Sequence, residues 1–315
     1  MIKFTPIYQA RLWGGRRIST ALGRALPAEM NDCGESWELS DRPEAMSTVS
    51  HGPWKGFSLH ELWEKHRAEL FGPGYGHFER FPILAKILSP EKVLSVQIHP
   101  DAEAARILGG EEKNECWYFA DVDGAVDLYV GLSEGISVED SLRALRGGSI
   151  SRHLRKFEAR AGDSIFIPAL TVHALGAPCL VYEIQQNADT TYRLDDWGRV
   201  DGSGAPRRLH LEQSAVCMQR RAPHTRLRPS GAGSLADTRW FRLEEIALRG
   251  NELIPVADKE RFCVVTVISG SVEDAEEEAR TGDFFILPAG GEAPRVTSNG
   301  ARLLLTTVPP SAPCA

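Results

Sequence analysis

Two stretches of the chain align with each other without gaps: AGDSIFIPALTVHALG at 161–176 and TGDFFILPAGGEAPRV at 281–296. Each has a small residue before Gly-Asp, then one variable residue, three apolar residues and a proline. A Gly-Asp turn that leads into a short apolar segment is typical of a hairpin followed by a strand. The repeat therefore predicts two β-sandwich units of similar construction. Because Ala293 stands in the second copy where the first has His173, we expect the second unit to be structural and to lack metal ligands.

Three polar residues alternate with apolar ones in VLSVQIHP, namely Ser95, Gln97 and His99. In a β-strand, alternate side chains share one face of the sheet. The chain then returns as a second predicted strand, ECWYFADV, which opens with Glu115. One His and one Glu at adjacent strand ends supply half of a metal site, and His173 is the best downstream candidate for the other half. The alternatives are that the histidines are core residues without a ligand, and that Glu115 is a surface acid.

Two cations interrupt apolar strand patterns. Lys86 lies within FPILAKILSP, where burying an unpaired ammonium group would be costly. Its head group either reaches the end of a barrel or meets an anion, unless the side chain extends outward to solvent. Arg193 lies between hydrophobic residues in TTYRLDDW, which makes it a candidate pocket cation. The alternative for Arg193 is a structural salt bridge to Asp195 or Asp196.

Short helices are predicted where capping residues precede helical patterns. SLHELWEKHRAELFG begins with a capping box of Ser58 and Glu61, DAEAARIL begins at Asp101, and SVEDSLRALRGG begins at Ser137. An Asp-Gly pair at 123–124 predicts a hairpin turn. Most of the other patterns are short strands between glycines and prolines, so the fold class is predicted to be mainly β.

The length of 315 residues allows two domains. A basic stretch that turns rich in Pro, Gly and Ser predicts a linker at 226–238. We therefore expect a catalytic domain with the metal site at 1–225 and a C-terminal β domain at 239–315.

The composition narrows the functional classes. With a formal net charge of −7, nothing in the composition suggests a surface that binds nucleic acid. No apolar run approaches the ~20 residues that span a bilayer, and the N-terminus has no signal-peptide core. The six cysteines are scattered without a CxxC pair, which is typical of reduced thiols. We expect a cytoplasmic protein without nucleic-acid or membrane partners.

The pattern of Gly162, Pro168 and His173 resembles the second motif of the cupins, which are double-sheet jelly rolls. A modified first motif is found at Gln97, His99 and Glu115. One departure is Leu170, where cupins usually have glycine and where the second copy keeps Gly290. That departure predicts an altered turn before His173.

The chain is more closely similar to the class I mannose-6-phosphate isomerases in their short bacterial form. The similar segments are WGG near the start, FPILAKIL, LSVQIHPD, KNECWYF, PALTVHALG and YEIQQNADTTYRLDDWGR. This resemblance implies two cupin-like units and one zinc ion per chain. The implied metal ligands are Gln97, His99, Glu115 and His173.

The resemblance also implies a pocket for a hexose phosphate. Its phosphate-binding candidates are Ser95, Lys86 and Lys113, and its catalytic candidates are Arg193, Glu183 and Asp189. Gln97 could instead be a hydrogen-bonding core residue off the metal, and Lys113 a solvated loop charge. The implied reaction interconverts mannose 6-phosphate and fructose 6-phosphate through an enediolate.

Two other functional classes fit parts of this pattern. A non-catalytic cupin that binds sugar phosphates would keep the metal and the fold, but Arg193 and the lysines favour the enzyme. A cupin oxygenase needs iron with open coordination positions, and four protein ligands disfavour it.

Overall fold

The computed structural model describes residues 1–220, 225–231, 233–255, 260–275 and 277–310. The chain folds into two compact units, each built from segments that are distant in sequence. The central unit comprises 9–35 and 87–230, and the flanking unit comprises 1–8, 36–86 and 231–315. Both units are mainly β with a few short helices, so the predicted fold class is confirmed.

Among its described residues, the central unit has nine strands that lie wholly within it: Val96–Ile98, Glu115–Val122, Val126–Leu132, Leu154–Ala159, Ser164–Ile167, His173–Leu175, Cys179–Gln186, Tyr192–Asp195 and Leu227–Arg228. Its helices are Arg17–Leu22, Ala102–Leu108, Val138–Arg146 and Leu211–Met218, with a 3-10 turn at Ile150–His153. Three further strands contribute residues to both units: Ile7–Gly15, Cys33–Leu39 and Ile83–Leu88.

The strands of the central unit form two antiparallel sheets. The first has the order Leu154–Ala159, Val126–Leu132, His173–Leu175, Val96–Ile98, Tyr192–Asp195. The second includes, in order, Leu227–Arg228, Ser164–Ile167, Glu115–Val122 and Cys179–Gln186. Side chains of both sheets meet in one core, for example Leu128 and Leu175 with Trp117, Phe119 and Val181. The two sheets therefore face each other as a sandwich.

The first sheet uses its two faces differently. Val96, Ile98 and Ala174 pack in a cluster that includes Ala144 and Ala215 from two helices. Because side chains alternate along a strand, the neighbours of these residues point to the inner face, toward the second sheet. That alternation places Gln97 and His173 inside the sandwich.

The Asp-Gly turn at 123–124 has a different role from the predicted one. Gly124 adopts φ 75°, as such a turn requires. However, Glu115–Val122 and Val126–Leu132 belong to different sheets, so they do not pair as a hairpin. The prediction of a hairpin was wrong because the sequence of a turn does not reveal which strands hydrogen-bond to each other.

The flanking unit is built on one sheet with the order Ile2–Lys3, Phe284–Leu287, Cys263–Glu273, Arg295–Thr307, Arg242–Leu248, Gly233–Asp237. Glu278–Arg280 pairs with Cys263–Glu273, and Asp41–Arg42 pairs with Ala45–Met46 in a small separate sheet. The helices of this unit are Leu59–Lys65 and Arg67–Leu70. A buried aromatic cluster around Trp63 includes Phe71, Phe81 and Phe262.

The predicted helix starts are confirmed. Ser58 and Glu61 form the capping box before Leu59–Lys65, and the side chains of Asp101 and Ser137 accept hydrogen bonds as N-caps of their helices. Within the described residues, none of the helices combines the length and apolar character that crossing a bilayer needs.

The two copies of the sequence repeat have the same local backbone. Gly162 and Gly282 adopt φ 91° and 89°, and each precedes a strand, Ser164–Ile167 or Phe284–Leu287. The compact units nevertheless do not follow the order of the sequence. Residues 1–8 and 36–86 belong with the C-terminal part, and short strands, Leu227–Arg228 and Gly233–Asp237, lie within the predicted linker. The functional division into 1–225, 226–238 and 239–315 stays a prediction.

Candidate metal centre

Three side chains from three different strand ends meet inside the central unit. His99 follows Val96–Ile98, Glu115 opens its strand, and His173 opens another. Nε2 of His173 lies 3.1 Å from Oε1 of Glu115, and Nε2 of His99 lies 3.3 Å from Oε2. All three side chains are buried, and their ligand atoms lie within 4.8 Å of one another. Glu115 is therefore no surface acid, and the two histidines converge on it.

The backbone fixes the tautomer of both histidines. Nδ1 of His99 lies 2.9 Å from the carbonyl oxygen of Thr190, and Nδ1 of His173 lies 2.8 Å from that of Thr171. A carbonyl only accepts hydrogen bonds, so each Nδ1 carries a proton, and in the neutral tautomer Nε2 holds the lone pair that a metal ion needs. This anchoring of the remote nitrogen is the arrangement by which metal-binding histidines are oriented.

The centre has buried polar atoms that lack hydrogen bonds. Nε2 of His99 and both oxygens of Glu115 have no hydrogen-bond partner in the described part of the chain, although His173, His99 and Lys113 lie near the carboxylate. Leaving such atoms unsatisfied in a core is costly. A divalent cation between them would satisfy all three atoms, so the residues present fit a metal ion.

The protonation states also fit a metal ion. Burial, assisted by the charge of Lys113, lowers the pKa of His99 to about 3, so its imidazole is neutral. Burial alone would raise the pKa of Glu115, but Lys113 and the two histidines hold that pKa well below its ordinary value. The donor set is thus an ionised carboxylate with a neutral imidazole, as metal coordination requires.

Gln97 lies beside this centre in a row across the first sheet. It pairs with His173 on one side and with Arg193 on the other, so the three side chains share the inner face. Nε2 of Gln97 is 3.1 Å from Nε2 of His173. Turning the amide by 180° would present its oxygen to the same centre, and the two orientations are distinguished only by the hydrogen-bond network.

Arg193 forms no salt bridge with Asp195 or Asp196, the two partners considered from the sequence. Its Nη1 donates to the carbonyl oxygen of Arg208 at 2.9 Å, and its Nε is buried without a hydrogen-bond partner among the described residues. Asp196 instead pairs with Arg199 and Arg207. Desolvation, with the like charge of Arg207, lowers the pKa of Arg193. Nε of its guanidinium is therefore a donor that the described part of the chain leaves without a partner.

Lys113 is buried rather than a solvated loop charge. Its Nζ lies 3.1 Å from Oε2 of Glu115, and its side chain is 5% exposed. Burial alone would lower the pKa of Lys113, but the carboxylates of Glu115, Glu183 and Asp189 raise it above its ordinary value. The ammonium group therefore stays charged next to the candidate metal centre.

The remaining predicted site residues differ in their surroundings. Glu183 is buried on Cys179–Gln186, and Ser95 is buried just before Val96–Ile98. Asp189 is exposed in the loop that follows Cys179–Gln186, and its backbone N–H donates a hydrogen bond to Oε2 of Glu111. Lys86 belongs to the flanking unit, where it is buried with Nζ 4.7 Å from the centre of the Trp37 ring, so it does not extend to solvent.

Sequence reasoning missed Asn114, which supports the loop before His173. Its Oδ1 accepts from the backbone N–H of Ala169 at 2.9 Å, and its Nδ2 donates to Gln186 at 2.7 Å. It is buried and immediately precedes Glu115. The one available signal was a polar residue at the start of an apolar strand.

Comparison with known proteins finds relatives whose sequences align with almost the whole chain. The chain is 33% identical to the putative mannose-6-phosphate isomerase YvyI of Bacillus subtilis, over 97% of this chain and 98% of that protein. It is also 33% identical to mannose-6-phosphate isomerase ManA of the same organism, over 91% of this chain and 92% of the relative. The chain belongs to the type I phosphomannose isomerase family. The model of this family's catalytic domain matches residues 1–123.

Solved structures of the family share the fold. The mannose 6-phosphate isomerase of Bacillus subtilis superposes with a TM-score of 0.83 at 29% identity, covering 98% of this chain and 99% of that one. A putative mannosephosphate isomerase of Archaeoglobus fulgidus gives 0.76 at 22% identity, with 97% of each chain covered. A mannose 6-phosphate isomerase bound with zinc and yttrium gives 0.71 at 14% identity, covering 98% of this chain and 99% of that one, which shows the shared fold alone.

Proposed function

We propose that this phosphomannose isomerase family member interconverts mannose 6-phosphate and fructose 6-phosphate with one bound zinc ion. The observation that carries the proposal is the buried meeting of His99, Glu115 and His173, where Nε2 of His99 and both Glu115 oxygens have no hydrogen-bond partner among the described residues. Gln97 is the proposed fourth ligand, because it lies against Nε2 of His173. Two neutral imidazoles, one amide and one carboxylate would leave zinc with about one net positive charge.

The reaction moves a hydrogen between C1 and C2 of the open-chain sugar. A base removes the proton from C2 of open-chain mannose 6-phosphate, and the electrons form an enediolate. A proton is then delivered to C1 while the hydroxyl proton of O2 passes to O1, so the carbonyl moves from C1 to C2. When bound, a divalent ion supplies Lewis-acid stabilisation of the negative oxygen. Arg193 is proposed to donate to that oxygen, since its charge is permanent and it lies in the same row as Gln97 and His173.

The other roles are assigned by charge and burial. Lys113, with the hydroxyl of Ser95, is proposed to bind the phosphate or the adjacent hydroxyl groups. Glu183 and Asp189 are the proposed proton carriers. Of these two, Glu183 is favoured because it is buried, and a site closed to water prevents the transferred proton from being lost to solvent. The phosphate-binding role of Lys86 is proposed from the family resemblance alone.

The fold, cellular location and partner proposed for this enzyme are supported by further features of the structure. The antiparallel two-sheet sandwich of the central unit supports a cupin jelly roll. Five cysteines are free thiols, namely Cys33, Cys116, Cys179, Cys217 and Cys263, which supports a reducing, cytoplasmic location. The proposed partner is a hexose phosphate, without nucleic acid or membrane. Cys314 lies outside the described residues.

A coupled assay on zinc-loaded protein tests the proposal. Fructose 6-phosphate formed from mannose 6-phosphate is converted to glucose 6-phosphate and then oxidised, so each turnover yields one reduced nicotinamide. We expect turnover that disappears on chelation and returns with zinc. Calorimetry with mannose 6-phosphate on the same sample identifies the alternative: binding without turnover would mean a non-catalytic sugar-phosphate protein.

A further inference from the structure

Trp117 contacts both the candidate metal centre and a candidate proton carrier. Its indole N–H donates to Oε1 of Glu183 at 2.8 Å. The centre of its ring lies 5.4 Å from that of His173, with the two planes at 78°. The side chain is fully buried, and no proposed role in the reaction includes it so far.

The sheet imposes this position on Trp117. Trp117 is two residues after Glu115 on the same strand, so both side chains point to the inner face. Trp117 pairs directly with Glu183 of the neighbouring strand, and Glu115 pairs with Gln185 of that strand. Directly opposed residues of antiparallel strands lie close enough to interact through their side chains. The hydrogen bond therefore joins two members of one row across the second sheet.

The chemistry of the pair is directional. The indole nitrogen only donates, and Glu183 is a buried carboxyl group that needs donors. A hydrogen bond to an ionised carboxylate is about twice as strong as one between neutral groups. The rigid ring, held in the core with Phe119, Ile165 and Ile167, fixes the direction from which the donor approaches.

We propose that Trp117 is a positioning residue of the isomerase reaction, which holds the Glu183 carboxylate in the orientation that moves the proton between C1 and C2. This inference rests on the proposed function. Trp117 does not itself touch the reacting atoms. Its contact with His173 is a ring contact only, and the orientation of His173 is already fixed through Nδ1 by the carbonyl of Thr171. Removing the indole N–H should therefore impair proton transfer while leaving the metal in place.

The test is a double-mutant cycle on the full-length zinc-loaded protein. Wild type, Trp117→Phe, Glu183→Gln and the double variant are compared for zinc content, kcat and KM for mannose 6-phosphate. Phenylalanine keeps an aromatic ring beside His173 but has no N–H. We expect Trp117→Phe to retain about one zinc per chain and a KM within about threefold of wild type, with kcat lowered by about 10- to 100-fold. The double variant should be no slower than Glu183→Gln alone, because both changes act on one carboxylate.

Trp63→Phe is the matched control. Trp63 is also fully buried, and its indole N–H donates to the carbonyl of Phe78 at 3.2 Å within the flanking unit. This variant loses a buried donor and part of a ring, as Trp117→Phe does, but should keep the wild-type kcat. A comparable fall in kcat for both variants would mean that the loss reflects general destabilisation, and the inference would be rejected.

Three other results would also overturn the inference. The first is a kcat of Trp117→Phe within twofold of wild type. The second is that Trp117→Phe loses zinc together with activity. The third is that Trp117→Phe lowers kcat by the same factor in the Glu183→Gln background as in the wild type. The last would mean that Trp117 acts independently of Glu183. An inactive zinc-loaded wild type is a separate outcome, which refutes the proposed function itself.

Discussion

Leu170 has the same left-handed backbone conformation as Gly290, the residue at its position in the second copy of the repeat, with φ of 67° and 69°. The expected alteration of the turn before His173 is therefore wrong: the conformation is the same, and leucine adopts it despite its Cβ. Left-handed conformation costs a non-glycine residue roughly 1 kcal/mol or more. The backbone N–H of Leu170 donates to the carbonyl of His99 at 2.8 Å, so the strained residue holds the loop against a candidate metal ligand.

We predict that Gly290→Ala lowers the free energy of unfolding by about 1 kcal/mol. A methyl group at Gly290 meets no atom within 4 Å, so the cost comes from the backbone alone. Urea unfolding measures it. Gly76→Ala in the same unit is the control, because Gly76 also has open space but no positive φ, and it should be neutral or stabilising. Equal effects of the two substitutions would contradict the prediction.

Removal of the metal should destabilise the protein as well as inactivate it. Chelation leaves the buried Glu115 carboxylate with Lys113 beside it but without the divalent charge, and we expect a fall in melting temperature of about 10 °C, from roughly 4 kcal/mol of lost binding energy. His99→Ala should melt near the chelated wild type and no longer respond to chelator. His77→Ala, at an exposed histidine of the flanking unit, should keep the full response. A wild type whose melting is insensitive to chelator would exclude a structural contribution of the metal.

Arg193→Ala should lose turnover without losing metal. A donor directed at developing negative charge contributes about 100-fold or more to kcat. Among the described residues, the side chain of Arg193 hydrogen-bonds to the backbone carbonyl of Arg208 and to none of the three candidate ligands, so its removal should leave them in place. Arg208→Ala keeps that carbonyl and removes an exposed cation nearby, so it should be close to wild type. Zinc content and kcat are measured together, and metal loss in Arg193→Ala would refute the role assigned here.

Asp196→Asn should lower the free energy of unfolding by about 2 kcal/mol near neutral pH. Burial would raise the pKa of Asp196, but Arg207 and Arg199 hold it below the ordinary value, and Nε of Arg207 donates to Oδ2 at 2.7 Å. A lowered folded-state pKa stabilises the protein above the unfolded pKa of about 3.9, and that stabilisation is lost as pH falls toward the folded pKa.

The difference between Asp196→Asn and wild type should therefore shrink on acidification below about pH 4. Urea unfolding at neutral and acid pH measures it. Asp123→Asn, at an exposed turn residue, serves as the control and should stay within about 0.5 kcal/mol of wild type at both values. A difference for Asp196→Asn that is constant with pH would exclude the charge pairing as its cause.

Much of the local structure could be predicted from the sequence because it depends on neighbouring residues. The capping box of Ser58 and Glu61 and the caps at Asp101 and Ser137 each need contacts only three residues apart. Hydrophobic alternation likewise places Gln97 and His99 on one face of a strand. His99, Glu115 and His173 lie together in the structure; the first two were candidates from their places at predicted strand ends, and the family resemblance implied all three, while their role as metal ligands stays a prediction.

What the sequence could not show depends on partners far along the chain. The pairing of Trp117 with Glu183, and the support that Asn114 gives to Ala169, follow from strand register, which no local pattern specifies.

The sequence by itself determined the mainly β class and the helix starts, because each is a property of residue type and short spacing. The candidate ligands lie far apart in the chain, and their full set was predicted from the family resemblance. Only the tertiary structure decided that 123–124 joins two sheets, that Lys113 is buried on Glu115, and that Leu170 adopts a glycine conformation. The physical reason is that burial and strand pairing are set by the whole core: long-range packing determines which polar groups leave water, and those groups then carry the chemistry.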